Sequence, residues 1–206
     1  KGSIYYDIYK YNLIENDEGE LTYNKDNEER LTYSSRLVSP IFIPDKNKII
    51  AINNYDGTSN ILISDISKID FQQITNYNDG SYISSINLMD SLLVFDLIDN
   101  HGKDLFTLDL KNFSIKPLSI NHYDEQDPTA YQDGVLSSSD ESGIFNLYIN
   151  TKDKSGYVTN VLGGAFMPSV SKDGKVLYSL YENASYSIAI LDSIEVIEDN
   201  KIGYND

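Results

Sequence analysis

The sequence predicts an all-β fold, a β-propeller of four-stranded antiparallel blades with about four full blades and a partial first one, and three observations predict it. The first is a short polar residue followed by an alternating apolar strand that usually ends in Asp or Asn. It returns as DIYKYN from Asp7, NILISD from Asn60, DLFTLD from Asp104, NLYINT from Asn146 and SIAILD from Ser187, in steps of 53, 44, 42 and 41 residues. A period in the forties marks an array of small sheets, none able to bury both faces alone. The second is that the runs IIAI, SLLVF and KVLYSLY are apolar on both faces or nearly so. A sheet with two apolar faces must be covered twice, which radial stacking of blades achieves. The third is the lack of any amphipathic helical pattern, while Ile, Val, Tyr and Thr crowd the strand-sized runs.

The elements follow in order within one domain spanning residues 1–206. Residues 1–32 supply the partial blade, with a strand over Asp7–Leu13 and a closing strand over Arg30–Thr32. The acidic stretch between them, Glu15 to Glu29, suits a solvated loop or an elongated hairpin and accounts for the longer first step. Residues 33–75 read as a four-stranded meander: a first strand around Pro40, a turn at Asp45 to Asn47, a buried run Ile49 to Ile52, a turn at Asp56-Gly57, the polar-headed strand, and an outer strand ending at Thr75. Residues 82–119 repeat it with turns at Asp90-Ser91 and Asn100 to Gly102, and 127–161 with turns at Gln132 to Gly134 and Asp140 to Gly143. Residues 167–198 turn at Asp173-Gly174 and Glu182 to Ser185 and take IEVIE as their fourth strand, leaving 199–206 as a tail. Gly and Asn at these turns tolerate positive φ, and Asp bonds to nearby backbone. Pro40, Pro128 and Pro168 recur in the first strands, where a residue need not donate to the ladder.

Composition narrows the function. A formal charge of −16, from 16 basic against 32 acidic residues, excludes nucleic acid, whose phosphates require Lys and Arg, and disfavours an anionic membrane surface. An acidic coat of this kind keeps a β-rich chain soluble. With no Cys, disulfides and thiolate chemistry are out. No run approaches the roughly 18 apolar residues that span a bilayer, so no direct membrane insertion is expected. The start at Lys1, without Met or a signal-like segment, reads as a piece cut from something longer.

The copies PIFIPDKNKIIAINNYDGTSNILISDI and PSVSKDGKVLYSLYENASYSIAILD, with the endings Leu31-Thr32 and Ile74-Thr75, resemble the TolB-like β-propeller family. That repeat couples a proline, a serine-proline-aspartate-glycine turn, an apolar strand, a second Asp-Gly turn and an Asp-led strand. Ser84 and Ser85 stand where its proline is expected, and the Gln132 to Gly134 turn lacks its serine-proline. The stretch TNVLGGAFMPSVSKDG leading into YSLY is also similar to repeats that precede a carboxy-terminal barrel or peptidase module in large bacterial envelope proteins. This second resemblance implies an extracytoplasmic setting, in the periplasm or outer envelope.

Chemistry is sparser. The cluster His122, Asp124, Glu125 and Asp127, on a blade-to-blade connection, is the best metal candidate, and its oxygen-rich set suits a hard cation such as Ca2+. A solvated acidic turn is the competing reading, and no cofactor is otherwise expected. His101 sits at a hairpin tip. Asp7, Asn60, Asp104 and Asn146 read as side chains bonded to the backbone of their own turns rather than as a ring of ligands. Gly163-Gly164 precedes a strand, not the helix that a phosphate cradle needs, and reads as a tight crossover between blades. There is no Gly-x-Ser-x-Gly elbow and no His-Glu-x-x-His pair, and two loop His make a Ser-His-Asp triad improbable.

The resulting expectation is a non-catalytic scaffold or protein-binding module of a larger protein, with Tyr55, Tyr77, Tyr82, Tyr123 and Tyr131 as plausible anchors on its loops. One alternative is a substrate-gating propeller of a peptidase, of the prolyl oligopeptidase type or linked to a metallopeptidase. Another is a carbohydrate-active propeller, which needs carboxylates on the first strands, where Ile41, Ile43, Ile86 and Val170 dominate.

Overall fold

The structure, a computed structural model, describes residues 5–198. The chain divides into two compact units, residues 1–80 and 81–206. In the first, β1 (Tyr9–Glu15) and β2 (Leu21–Arg30) pair as a long antiparallel hairpin. The acidic stretch is therefore an elongated hairpin, and the closing strand starts at Leu21, well before Arg30. Its tip is held by Asn16 Oδ1, which accepts from Glu18 N–H and Glu20 N–H. The second sheet of this unit runs in the order β3 (Leu37–Ile43), β4 (Lys48–Tyr55), β5 (Thr58–Asp65), β6 (Lys68–Gln73). Ile8, Leu31, Leu37, Ile49, Ala51 and Leu62 form one buried cluster in this unit.

The second unit holds three sheets. Two are complete meanders: β7 (Tyr82–Met89), β8 (Leu92–Ile98), β9 (Lys103–Asp109) and β10 (Ile115–Ser119), then β11 (Glu125–Tyr131), β12 (Gly134–Ser139), β13 (Asn146–Asn150) and β14 (Ser155–Tyr157). The third has three strands, β15 (Ala165–Val170), β16 (Val176–Glu182) and β17 (Ser185–Leu191). Val94, Leu105 and Val135 join the first pair of sheets. Leu136, Leu147, Ile149, Val158, Ala165, Val176 and Ile194 fill the space between the second pair. Apolar burial of this kind, about 25 cal/mol per Å2, is what holds sheets of one repeat face to face. Among the described residues the only helix is a single 3-10 turn at Pro44–Lys46, and none is long and apolar enough to cross a membrane.

Two sequence expectations need correction. IEVIE is not the fourth strand of the last blade. Ile194 is drawn into the core between the last two sheets, Ile197 N–H donates to the Tyr157 carbonyl on β14 at 2.8 Å, and Val196 lies over Gly156, where a Cβ would come within 2.4 Å of it. The tail 199–206 lies outside the described residues.

The second correction concerns the polar heads of the repeat. They bond across the sheet to the exit of the fourth strand, and Asn146 keeps the expected local bond as well, its Nδ2 donating to the Ile144 carbonyl at 3.3 Å. Asn60 Oδ1 accepts from Thr75 Oγ1 at 2.9 Å and Tyr77 N–H at 2.8 Å, and Asn146 Oδ1 accepts from Thr159 Oγ1 at 3.0 Å and Val161 N–H at 2.8 Å. Asp7 does the same with Thr32 and Ser35 and adds an ion pair to Arg30. Burial acts to raise the Asp7 carboxyl, but the Arg30 guanidinium and the Ser34, Ser35 and Thr32 donors hold it well below the usual carboxylate range. Asp104 keeps one such bond, from Asn121 N–H. The next residue completes the clamp. Ile8, Ile61 and Leu147 each donate N–H to the Thr hydroxyl, and their carbonyls accept from Leu31, Ile74 and Val158. In these three repeats the end of the fourth strand is thereby stapled to the third.

Candidate binding site

The first strands of the second unit create the site. Each first strand in the chain carries a bulge: between Val38 and Ile41, Ile83 and Ile86, Gln126 and Thr129, and Phe166 and Ser169. Three of the bulges hold the recurring proline, and the residue before it has positive φ: Ser39 at 51°, Asp127 at 54° and Met167 at 52°. A bulge re-aims side chains, here turning the residue before proline out of the alternating pattern. The blade that has Ser84-Ser85 where the others have a residue and proline keeps one extra N–H donor, that of Ser85, and adds two hydroxyls at this point. Asp96, fully buried on the facing strand, takes them up. Its Oδ1 accepts from Ser84 N–H at 3.0 Å, Ser84 Oγ at 2.7 Å and Ser85 N–H at 2.8 Å, while Oδ2 accepts from Ser85 Oγ at 2.8 Å and from Asp127 N–H at 3.1 Å. Asp127 hands the pattern on, its Oδ2 accepting from Met167 N–H at 3.1 Å. Carboxylates thus tie β7 to β11 and β11 to β15.

Beside this chain of bonds lies a recess of about 580 Å3 lined by Ser84, Lys103, Gln126, Asp127, Phe166, Met167, Ser179 and Tyr186. Lys103 Nζ donates to Gln126 Oε1 at 2.6 Å, and Lys103 N–H to Asp124 Oδ1 at 3.0 Å. Burial pushes the Asp127 carboxyl up, opposed by the Met167 N–H and by Lys103. Met167 and Tyr186 are each 67% exposed, and the Phe166 and Tyr186 rings meet edge-on at 6.4 Å. The recess combines an apolar, aromatic wall with one carboxylate, one ammonium and one amide. That mixture orients a polar main chain while covering apolar side chains.

The expectation that isoleucines dominate the first strands is therefore incomplete. Ile43 and Ile86 are buried and Ile41 and Val170 half-buried, yet Asp127 sits on the same set of strands with Asp96 facing them. All of Asp96's hydrogen bonds are structural, which leaves Asp127 as the carboxylate at the recess.

The metal candidates do not converge. His122 is exposed, Asp124 accepts from Lys103 N–H, Glu125 is buried and accepts from Asn121 Nδ2 at 3.0 Å, and Asp127 bonds to Met167. Burial raises the Glu125 carboxyl. Among the described residues, no group of three or more His, Cys, Asp or Glu side chains is arranged to hold a metal ion. Of the tyrosines, Tyr55 and Tyr82 are exposed, Tyr77 and Tyr123 half-buried and Tyr131 buried under Lys154. The Tyr123 phenol is pushed up to about 12 by burial and by the carboxylates of Glu141 and Glu125. His101 is exposed at its hairpin tip, its N–H bonded to Asp99. Met167, Phe166 and Tyr186 carried no signal of their own in the sequence. The alignment of Ser39, Asp127 and Met167 before the three prolines was the one pointer to them.

No family model matches the sequence, and no curated protein matches it. Solved structures do. TolB from Acinetobacter baumannii superposes with a TM-score of 0.66 at 17% identity, over 84% of this chain and 45% of that one. An Agrobacterium tumefaciens protein assigned as TolB gives 0.67 at 13% identity, over 89% and 76%. A puromycin hydrolase gives 0.64 at 11% identity, over 85% of this chain and 30% of that one. The chain thus spans less than half of the Acinetobacter protein. At these identities the likeness is one of fold, and the fold is the TolB-like β-propeller, built of four-stranded antiparallel blades.

Proposed function

We propose that this chain is a non-catalytic propeller module that binds a protein partner in a larger extracytoplasmic protein, and that the partner's chain occupies the recess lined by Asp127, Lys103, Met167 and Tyr186. The observation that carries this reading is the pairing of exposed apolar side chains with oriented polar ones in one concavity beside the first strands β7, β11 and β15, which Lys103 of β9 and Tyr186 of β17 complete. Exposed aromatic and Met side chains beside a few fixed polar groups are what protein contact sites are enriched in. The TolB-like fold supports a binding role, and the resemblance of the repeat to envelope-protein repeats supports the location.

The test is selection of peptides from a random display library on the whole chain, followed by titration against Met167→Asn. Asn accepts the positive φ at this position better than most residues, so the backbone survives the change. The enriched peptides are expected to bind the variant at least about tenfold more weakly, with unfolding midpoint unchanged, in line with loss of one central contact. Peptides that bind both proteins equally, or no enrichment, would remove the recess as the site.

A second reading has one specific support, the fold shared with the puromycin hydrolase over 85% of this chain and 30% of that one. On that reading the propeller gates substrate for a hydrolase domain elsewhere in the parent protein. Sequencing of the parent gene, showing an activated-serine elbow in the same chain, would favour it over a binding module.

A further inference from the structure

Among the described residues the last sheet has three strands and no fourth. In the sheets β3 to β6, β7 to β10 and β11 to β14 the third strand is covered along its outer edge, whereas β17 pairs with β16 alone among the described residues. The segment that would follow on, Ser193 to Glu198, is committed to β14 through Ile194, Val196 and Ile197. The polar head that staples fourth strands elsewhere is also missing. Where Asp7, Asn60, Asp104 and Asn146 stand in the other copies, this one has Ser187, exposed, with a hydroxyl too short to span to a neighbouring strand's exit.

The free edge is well formed. β16 and β17 pair in seven consecutive positions without a bulge, closed by Asn183 and Ala184 at φ 51° and 59°. Such a two-residue turn makes Glu182 and Ser185 a hydrogen-bonded pair, and bonded pairs then alternate. Ser185, Ser187, Ala189 and Leu191 bond to β16, so the main-chain N–H and C=O of Tyr186, Ile188 and Ile190 point to the open side. Ile188 is the counterpart of Ile61 and Leu147, whose two groups are both taken by a fourth strand. The side chains agree: Ile188 is 81% exposed and Ile190 58%, beside exposed Tyr186 and Leu177. Natural edge strands are guarded by charge, proline or a bulge, and SYSIAIL has none of these.

We propose that the open edge of β17 takes up an extended segment of a protein partner, an apolar strand flanked by Lys or Arg, as the fourth strand of this blade. The flanking charge follows from the surroundings. β17 is uncharged, lies between Glu182 and Asp192, the latter paired with Lys175 at 3.1 Å, and belongs to a chain with twice as many acidic as basic residues. A second copy pairing antiparallel through β17 would instead join two chains that each carry a formal charge of −16, which repel one another. Strand addition of this kind draws affinity from main-chain bonds and selectivity from alternate side chains. It shares Tyr186 with the recess, whose wall takes the ring, but draws on outward main-chain groups of β17 that the recess does not use.

The test titrates the whole chain into a fluorescein-labelled peptide, Lys-Thr-Ile-Thr-Val-Thr-Ile-Thr-Lys, and follows anisotropy. Saturable binding is expected, weakened at least tenfold when Glu replaces both flanking Lys or when alternate amides of the peptide are methylated. Ile188→Pro deletes an outward donor without touching the β16 ladder and is expected to lose at least tenfold. Ile188→Thr, which keeps the donor and the β-propensity, is expected to stay within about threefold of the parent. Equal binding by Ile188→Pro, insensitivity to amide methylation, or no saturable binding by the parent would overturn the proposal. A concentration-dependent dimer that excludes the peptide would overturn it in favour of self-pairing.

Discussion

Asp96→Ala is expected to lower stability by about 3–5 kcal/mol, the range for removing one partner from a buried charged network. The carboxylate accepts five hydrogen bonds, and three of its donors are main-chain N–H groups, of Ser84, Ser85 and Asp127. Ala supplies no acceptor, and each buried N–H left bare costs about 1–3 kcal/mol. For a domain whose whole stability is of the order of 5–15 kcal/mol, that is a large share. Asp96→Asn keeps one oxygen but turns an NH2 toward the remaining donors, so an intermediate loss of about 2 kcal/mol is expected. Urea unfolding of the three proteins measures this. A loss below about 1 kcal/mol for Asp96→Ala would mean that the Ser84-Ser85 bulge finds acceptors without the carboxylate.

Gly163→Ala is expected to cost about 3 kcal/mol through steric conflict with a neighbouring strand. A Cβ there would lie 1.9 Å from the Tyr181 carbonyl oxygen, and β16 cannot retreat because Tyr181 N–H is bonded to the Gly164 carbonyl at 2.8 Å. The control is Gly57→Ala. Its Cβ would meet nothing within 4 Å but would sit at φ 81°, so it bears only the torsional cost of about 1 kcal/mol. Unfolding midpoints measured side by side separate the two. Gly163→Ala no worse than Gly57→Ala would contradict a crossover role for Gly163-Gly164 and reopen that dipeptide to other readings.

The blades were legible in the sequence because their signals are local. Alternation, tight-turn residues and a period in the forties each depend on neighbours a few positions away, and the hairpins at Asp56-Gly57 and Asp173-Gly174 close where those residues require. The site was not legible, because its partners are distant. Asp96 hides in the run SLLVFDLI, and its donors come from twelve residues upstream and from the next sheet. His122, Asp124, Glu125 and Asp127 look like a cluster in one dimension, yet successive residues of a strand point to opposite faces, and Asp127 is turned aside by its bulge. Tyrosine exposure likewise depends on what packs alongside. Tyr131 is covered while Tyr55 is open, and no local pattern separates them. IEVIE alternates as a strand does, but alternation does not say which sheet a segment will join.

At the centre of the account is a repeat whose third strand pairs with a fourth in the other blades but, among the described residues, not at β17. Amide hydrogen exchange of the isolated chain tests this most directly. Ile61 and Leu147, each giving N–H to a buried Thr hydroxyl, are predicted to exchange at least about 100-fold more slowly than Ile188, their counterpart on the open edge. Ile188 exchanging as slowly as Ile61 and Leu147 would contradict it, since the edge would then already be filled.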